Sequence, residues 1–198
     1  MSLSTYLALL AFSLVSSITP GPNNIMLFAS GVNFGFWRTI PHSLGITFGF
    51  AILLAAVGLG LGVVLVQFPT LFLGIKVAGG LYMLYLAWQI ANSGAVEVKE
   101  GASRPMRFHE AALFQWVNPK AWVMATVATA TYTSEGNYAL NVAIIVFTFA
   151  VINYPVICVW ASFGVAMRRF LADPAKLRIF NMTMAFALVA SLWPMLSA

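Results

Sequence analysis

The stretch that decides the fold reads Pro20-Gly21-Pro22-Asn23-Asn24, and it interrupts an apolar run that extends from about residue 4 to residue 30. Two prolines around a glycine cannot stay inside a regular helix, because each proline lacks a backbone donor and its ring clashes with the preceding turn. If the run lies in a bilayer, non-helical backbone is tolerated only where protein or water surrounds it. The stretch therefore predicts a binding site, with a plain proline kink capped by Asn23 as the alternative.

Composition places the chain in a membrane. Of its 198 residues, 61% are hydrophobic and 8% are charged, whereas soluble domains carry about 25% charged residues. A chain this apolar could not cover its surface with polar groups in water, and a bilayer removes that contradiction. We predict an all-α integral membrane protein with six transmembrane helices in a single transmembrane domain, 1–198. The apolar stretches are 4–30, 42–66, 70–92, 111–133, 138–163 and 177–197.

A second interruption, Asn118-Pro119-Lys120, lies in the fourth stretch and adds a cation. Lys120 follows the preceding basic connection by about ten residues, which at about 1.5 Å per residue places it near mid-membrane. A charge there costs about 3 kcal/mol or more and is expected to face a cavity or a partner. Lys120 is therefore predicted to attract a carboxylate or an exchanging anion, and the alternative is that it snorkels to the cytoplasmic surface.

A third interruption, Asn153-Tyr154-Pro155, lies in the fifth stretch. Tyr154 could supply a hydroxyl and Asn153 an amide, although a simple kink is an equal alternative. The first and fourth helices each open a three-helix half, and an odd number of helices makes the two halves enter the membrane from opposite sides. We therefore predict two inverted repeats, 1–92 and 106–198, with helices 1, 4 and 5 broken at proline.

The net charge of +5 is interpreted as a topology signal and as contact with anionic lipid, not as a nucleic-acid surface. Eight of the ten Lys and Arg residues fall on the first, third and fifth connections. The positive-inside rule places these connections in the cytoplasm, so both termini are predicted to face outward. The eight residues are Arg38, Lys99, Arg104, Arg107, Arg168, Arg169, Lys176 and Arg178.

All five carboxylates lie at or near predicted helix ends. A dicationic substrate would meet Lys120 and no buried anion, so the site suits a zwitterion or an anion. One cysteine, Cys158, and two dispersed histidines make no plausible metal set, and we expect no metal, no cofactor and no enzymatic activity. The carboxylates are Glu97, Glu100, Glu110, Glu135 and Asp173.

Three further patterns receive structural interpretations. Gln115, Trp116 and Trp122 flank the second break and are interpreted as packing or interface residues. His42 and His109 are interpreted as surface histidines at cytoplasmic helix ends, with a proton relay as the alternative. Glycines at GxxxG spacing predict close helix approach, within the bundle or in a homodimer; they are Gly31/Gly35, Gly45/Gly49 and Gly58/Gly62.

Four motifs stand in order along the first two thirds of the chain: Thr19-Pro20-Gly21-Pro22-Asn23, Leu44-Gly45-Ile46-Thr47-Phe48-Gly49, Gly79-Gly80-Leu81-Tyr82-Met83-Leu84-Tyr85-Leu86-Ala87-Trp88 and Gln115-Trp116-Val117-Asn118-Pro119-Lys120-Ala121. Together they resemble the signatures of the LysE/RhtB family of bacterial amino-acid exporters. The resemblance implies amino-acid efflux across the bacterial inner membrane by secondary transport coupled to protons. In that membrane the outward termini predicted from the basic residues would be periplasmic. Many members carry aspartate where this chain has Phe50, and the branch that exports cysteine and O-acetylserine is similar in having phenylalanine.

Together, residues and resemblance predict an exporter of small neutral amino acids that works by alternating access. The helix end at Asn23 and Asn24, together with Lys120, would hold the carboxylate, and the freed carbonyls near residues 16–18 would receive the ammonium group. The alternatives are a transporter or channel for another small anion or zwitterion, and a membrane scaffold without transport. The predicted substrate-binding residues are Pro20, Gly21, Pro22, Asn23, Asn24, Asn118, Pro119, Lys120, Asn153 and Tyr154.

Overall fold

The computed structural model describes residues 1–61, 69–92, 104–133 and 137–190, and every regular element in this part of the chain is helical. A π-helical turn, Val57–Leu61, follows α3, and single 3-10 turns at Gln115–Val117 and Phe170–Ala172 follow α5 and α7. The eight α-helices are α1 (Leu3–Ile18), α2 (Pro22–Phe34), α3 (Phe36–Ala56), α4 (Pro69–Ala91), α5 (Phe108–Phe114), α6 (Pro119–Tyr132), α7 (Tyr138–Met167) and α8 (Pro174–Ala190).

Length and hydropathy identify membrane-spanning helices within the described residues. The segments Phe36–Leu61 and Tyr138–Met167 each suffice to cross a bilayer, with mean hydropathies of 2.3 and 2.4. The pair α1 and α2 makes a third candidate, bent by 53° at its break. The predicted all-α membrane class is confirmed. The count of six spans and the orientation of the termini stay predictions. One of the basic residues on which the orientation rests, Lys99, lies outside the described residues.

Both proline–asparagine sequences separate two helices. Helix α1 ends at Ile18, Gly21 is extended, and Pro22 begins α2, where its missing N–H is no loss. In the second case Asn118 is extended and Pro119 begins α6, while the Asn118 side chain accepts a hydrogen bond from the Lys120 backbone N–H at 3.2 Å. A new helix therefore begins at each of these two sequences.

The prediction that the fifth helix breaks at Pro155 is wrong, because α7 continues through Pro155 from Tyr138 to Met167. One proline removes a single donor, and a helix absorbs that loss where neighbouring groups compensate. Two prolines around a glycine, by contrast, remove two backbone donors, and the helix ends before them. The second helix likewise begins at Phe36 rather than after Pro41, which lies inside α3.

The helices meet at positions where glycine removes the side chain. Helix α7 packs against α1, α2 and α3, helix α5 packs against α3, and α4 packs against α8. A Cβ at Gly31 would collide with the Ala161 carbonyl of α7, and one at Gly45 would collide with the Phe108 carbonyl of α5. These glycines therefore serve contacts inside the chain. The homodimer stays a prediction, and Gly62 lies outside the described residues.

Helix α5 has seven residues, and an ion pair stabilises its first turn. Glu110 forms a salt bridge with Arg104 and accepts a hydrogen bond from the Arg107 backbone N–H at 2.8 Å. The Arg104 guanidinium lowers the pKa of the Glu110 carboxyl to about 2, so Glu110 is ionised at neutral pH. The ionised carboxylate also suits the positive end of the helix dipole.

Replacing Gly45 with alanine should lower the free energy of unfolding by about 1–3 kcal/mol, because the added methyl group forces α3 and α5 apart. Gly74→Ala is the matched control: nothing lies within 4 Å of a Cβ there, and alanine should raise helix stability by up to about 1 kcal/mol. Unfolding of both variants in detergent measures the difference. Equal stability would contradict the packing described here.

Candidate functional site

The two helix breaks face each other across a polar cavity. Its volume is about 30 Å³, which holds water but no amino acid. Helices α1, α2, α3, α6 and α7 all contribute to its wall, and this conformation, in which an amino acid does not fit, is called closed below. The lining residues are Ser16, Ser17, Gly21, Asn23, Asn24, Phe50, Asn118, Lys120, Ala121, Met124 and Asn153.

Three helix ends converge on this cavity. Helix α1 ends there with its C-terminal carbonyl groups, while α2 and α6 begin there with their N-terminal N–H groups. The last carbonyls and first N–H groups of a helix have no partners within it. Because helix dipoles place partial negative charge at one end and partial positive charge at the other, the cavity wall carries both signs.

Asn24 caps the end of α1. Its side-chain amide is buried and donates hydrogen bonds to the Ser17 carbonyl at 2.8 Å and the Thr19 carbonyl at 3.0 Å. One carbonyl of the predicted ammonium site, that of Ser17, and the neighbouring Thr19 carbonyl thus already have a donor in this closed conformation. The two halves of the broken helix are joined by this one side chain.

Lys120 connects the second break to the first. Its ammonium group donates a hydrogen bond to the Thr19 carbonyl oxygen, which also accepts from Asn24. The lysine stem crosses Gly21, where an added Cβ would lie 2.7 Å from the Lys120 Cδ atom. From the sequence, Lys120 is expected to attract a carboxylate or an exchanging anion. In this conformation its ammonium group bonds a carbonyl at the end of α1, and its role toward a substrate stays a prediction.

A pair of side-chain amides makes the second connection between the breaks. The Asn23 Nδ2 atom donates to Gln115 Oε1 at 2.8 Å, and the Gln115 Nε2 atom donates back to Asn23 Oδ1 at 3.1 Å. Gln115 Nε2 also donates to the Ala111 carbonyl at 2.9 Å, and the residue is 0% exposed. Gln115 was interpreted from the sequence as a packing residue, but it orients Asn23 at the cavity.

The remaining predicted site residues divide into three groups. Asn118 and Asn153 are buried and line the cavity. Pro22 and Pro119 act by starting helices. Pro20 is exposed and Tyr154 packs against the apolar cluster around Leu27 and Ile46, so neither belongs to the wall described above.

Sequence reasoning missed the side chains that complete the wall. The Ser17 hydroxyl is 4% exposed and has no hydrogen-bond partner, although it lies one turn after Ser13 on the buried face of α1. Phe50 lies against Phe149, with ring centroids 5.4 Å apart. The family resemblance singles out Phe50 as a position where members differ, and the structure places its side chain in the cavity wall.

His42 is a second correction. It was interpreted as a surface histidine, but it is 2% exposed and neither ring nitrogen has a hydrogen-bond partner. The physical reason is the early start of α3 at Phe36, which carries His42 into the second turn, where the bundle covers it.

The fold and the cavity together define a class of protein. Interrupted helices whose ends converge on a polar cavity inside a helical membrane protein are the arrangement by which secondary transporters bind their solutes. The comparisons with known proteins give the particular family. The chain belongs to the LysE type translocator family, whose model matches residues 14–191.

Several relatives carry the name cysteine/O-acetylserine efflux protein. The protein from Escherichia coli (strain K12) is 28% identical over 182 residues, or 90% of each chain. That from Salmonella paratyphi A is 30% identical over 131 residues, so the alignment spans 66% of each chain. No solved structure matches this chain.

The amide pair predicts non-additive mutations. Asn23→Leu or Gln115→Leu alone should lower the free energy of unfolding by about 1–3 kcal/mol, because each removes both hydrogen bonds of the pair and leaves the partner amide without them. The double variant should cost less than the sum, by about 0.5–3 kcal/mol. A double-mutant cycle of unfolding in detergent measures this coupling.

Gln89→Leu is the control for that cycle, since the Gln89 side chain bonds Tyr85 at an exposed site and its loss should change stability by about 0.5 kcal/mol or less. Strict additivity of the Asn23 and Gln115 changes would contradict the pairing.

Proposed function

We propose that this chain is a secondary transporter that exports small neutral amino acids or their derivatives across the bacterial inner membrane. The observation that carries the proposal is the cavity with a helix C-terminus on one side and two helix N-termini on the other. A zwitterion carries one negative and one positive group, which complement these two kinds of helix end. Cysteine and O-acetylserine, named for the relatives, are both small molecules of this kind.

Each charged group of the substrate has a counterpart in the wall. The carboxylate would lie at the N-terminal turn of α2, where the first N–H groups after Pro22 belong to Asn23 and Asn24 beside the cavity. At α6 it would take the place of the Asn118 side chain, which accepts from the Lys120 backbone N–H at 3.2 Å in the closed state. The ammonium group would lie at the end of α1, on the Thr19 carbonyl and the Ser17 hydroxyl. Ser17 is then the group that gains most, since it has no partner in the closed state.

The rest of the wall limits the substrate's side chain. Phe50, Ala121 and Met124 are apolar, and no Asp or Glu is among the described residues that line the cavity. A second positive charge would therefore lose its hydration without gaining a partner. This favours small neutral side chains over lysine or arginine.

Access to the cavity requires the two halves of the chain to move, because a volume of about 30 Å³ excludes an amino acid. The packing pattern supports inverted repeats, 1–92 and 106–198. In that scheme α3 pairs with its counterpart α7 and α4 with α8, while the contact of α2 with α7 is mirrored by that of α5 and α6 with α3. Rocking of one half against the other would open either side in turn, with both termini in the periplasm.

Ser17→Ala tests the proposed site with little risk to the fold, since the hydroxyl it removes bonds nothing in the closed state. We expect apparent affinity for labelled cysteine to fall about tenfold, the loss of one hydrogen bond to a charged group. Ser13→Ala is the matched control, one turn away with its hydroxyl bonded to the Leu9 carbonyl at 2.7 Å. Counterflow in proteoliposomes under reducing conditions measures both.

The same assay tests the function itself. Wild-type protein should exchange cysteine and O-acetylserine, and lysine should compete poorly. Flux of small inorganic anions without amino-acid exchange would replace the proposal with an anion transporter, and the absence of any flux from well-folded protein would favour a scaffold. Equal effects of the Ser17 and Ser13 changes would remove Ser17 from the site.

A further inference from the structure

We propose that Lys120 is the proton carrier of the transport cycle, because its ammonium group and the ammonium group of the substrate compete for the same carbonyl end of α1. The inference rests on the proposed function and adds its driving force. Export would then be an exchange of one zwitterionic substrate for one proton, with Lys120 as the group that holds the proton inside the protein.

The competition follows from the contacts of Lys120. Its ammonium group donates to the Thr19 carbonyl at the end of α1, and the Asn24 amide donates to the same oxygen at 3.0 Å. A helix C-terminus with partial negative charge is also the preferred place for the substrate's ammonium group. In the closed structure Lys120 thus occupies the position that the substrate needs.

Space makes the two occupants exclusive. The cavity holds about 30 Å³ while the lysine stem crosses Gly21, whose missing Cβ makes room for it. Withdrawal of that stem leaves the Thr19 carbonyl with the Asn24 amide and room for a second donor, and it uncovers the unpartnered Ser17 hydroxyl of a residue that is 4% exposed in the closed state. A substrate can enter only when Lys120 leaves, which is the condition for coupled exchange.

Among the described residues that line the cavity, Lys120 is the one whose side chain titrates. From α1 the wall presents Ser16 and Ser17, from α2 Asn23 and Asn24, from α3 Phe50, and from α7 Asn153; none of these titrates. His42 lies on α3 eight residues before Phe50, roughly 12 Å along the helix, and it is not among the residues that line the cavity. A lysine displaced from its carbonyl into this apolar and amide surrounding has no anion to keep it charged.

The cycle balances in protons and charge. Substrate entering from the cytoplasm takes the Thr19 carbonyl, and the displaced Lys120 ammonium gives its proton to cytoplasmic water. After the substrate leaves on the outer side, the neutral amine takes a proton from outer water and returns to the carbonyl. One neutral zwitterion moves out and one proton moves in, so each cycle carries one positive charge inward.

Lys120→Met tests the inference, because methionine keeps an unbranched stem without a titratable group. Vesicles are prepared with an acidic interior and with the membrane potential clamped by potassium and valinomycin. Wild-type protein should accumulate labelled cysteine by up to about tenfold per pH unit, the equilibrium limit for one-for-one exchange, while an internal pH dye reports alkalinisation. Lys120→Met should show neither effect, and the counterflow that remains should be the same with and without the gradient.

Binding gives an independent readout. Cysteine affinity of the wild type should fall as the pH is lowered, because the protonated lysine occupies the carbonyl, and affinity of Lys120→Met should lack this dependence. Lys120→Arg, which keeps a permanent charge, should lose both driven uptake and affinity. Lys176→Met, whose ammonium lies over the exposed Phe170 ring, should behave as wild type in every assay.

The outcomes separate the two claims. Gradient-driven accumulation by Lys120→Met, or a pH-dependent affinity that survives in this variant, would overturn the role of Lys120 and would direct attention to another group such as His42. Wild-type counterflow without any response to the gradient would also overturn it, while leaving amino-acid exchange intact. Absence of wild-type counterflow would instead reject the proposed function on which the inference rests.

Discussion

A helix that ends inside a membrane must find partners for its last carbonyl groups, and this requirement organises the molecule. At the end of α1 the partners are the Asn24 amide and the Lys120 ammonium group. Because Asn24 belongs to α2 and Lys120 to α6, satisfying one helix end ties together the two breaks of the chain. In hydrocarbon the alternative would be uncompensated carbonyls at several kcal/mol each, so the cavity and the fold depend on the same contacts.

The same contacts explain how a binding site can be stable when empty. Two of the carbonyl groups that would hold a zwitterion accept from the protein's own amide and ammonium group, while the buried Ser17 hydroxyl has no partner. Under the proposed function a substrate would take the place of these internal partners. At Gly31 and Gly45 the helices approach backbone to backbone, because glycine leaves no side chain between them.

The features predictable from sequence were those that depend on backbone chemistry. The Pro20–Pro22 stretch removes two backbone donors within three residues, which interrupts a helix, and the low charged fraction favours a bilayer. A single proline is less decisive, since α6 begins at Pro119 while α7 continues through Pro155. The features that were missed depend on three-dimensional register. The Asn23–Gln115 pairing joins residues far apart in sequence, burial of His42 follows from an early start of α3, and continuity through Pro155 follows from how one lost donor is accommodated. Tyr154 shows the same limit, since its place on α7 turns it toward an apolar cluster.

Substrate analogues probe the pairing of helix ends with opposite charges most directly. The 2-hydroxy acid analogue of serine keeps the carboxylate but lacks the ammonium group, and the amino alcohol analogue keeps the ammonium group but lacks the carboxylate. Competition against labelled cysteine in counterflow should show that each analogue binds at least about tenfold more weakly than serine, because each leaves one helix end without its charged partner. Competition by either analogue as strong as that by serine would contradict a site built from a helix C-terminus and two helix N-termini.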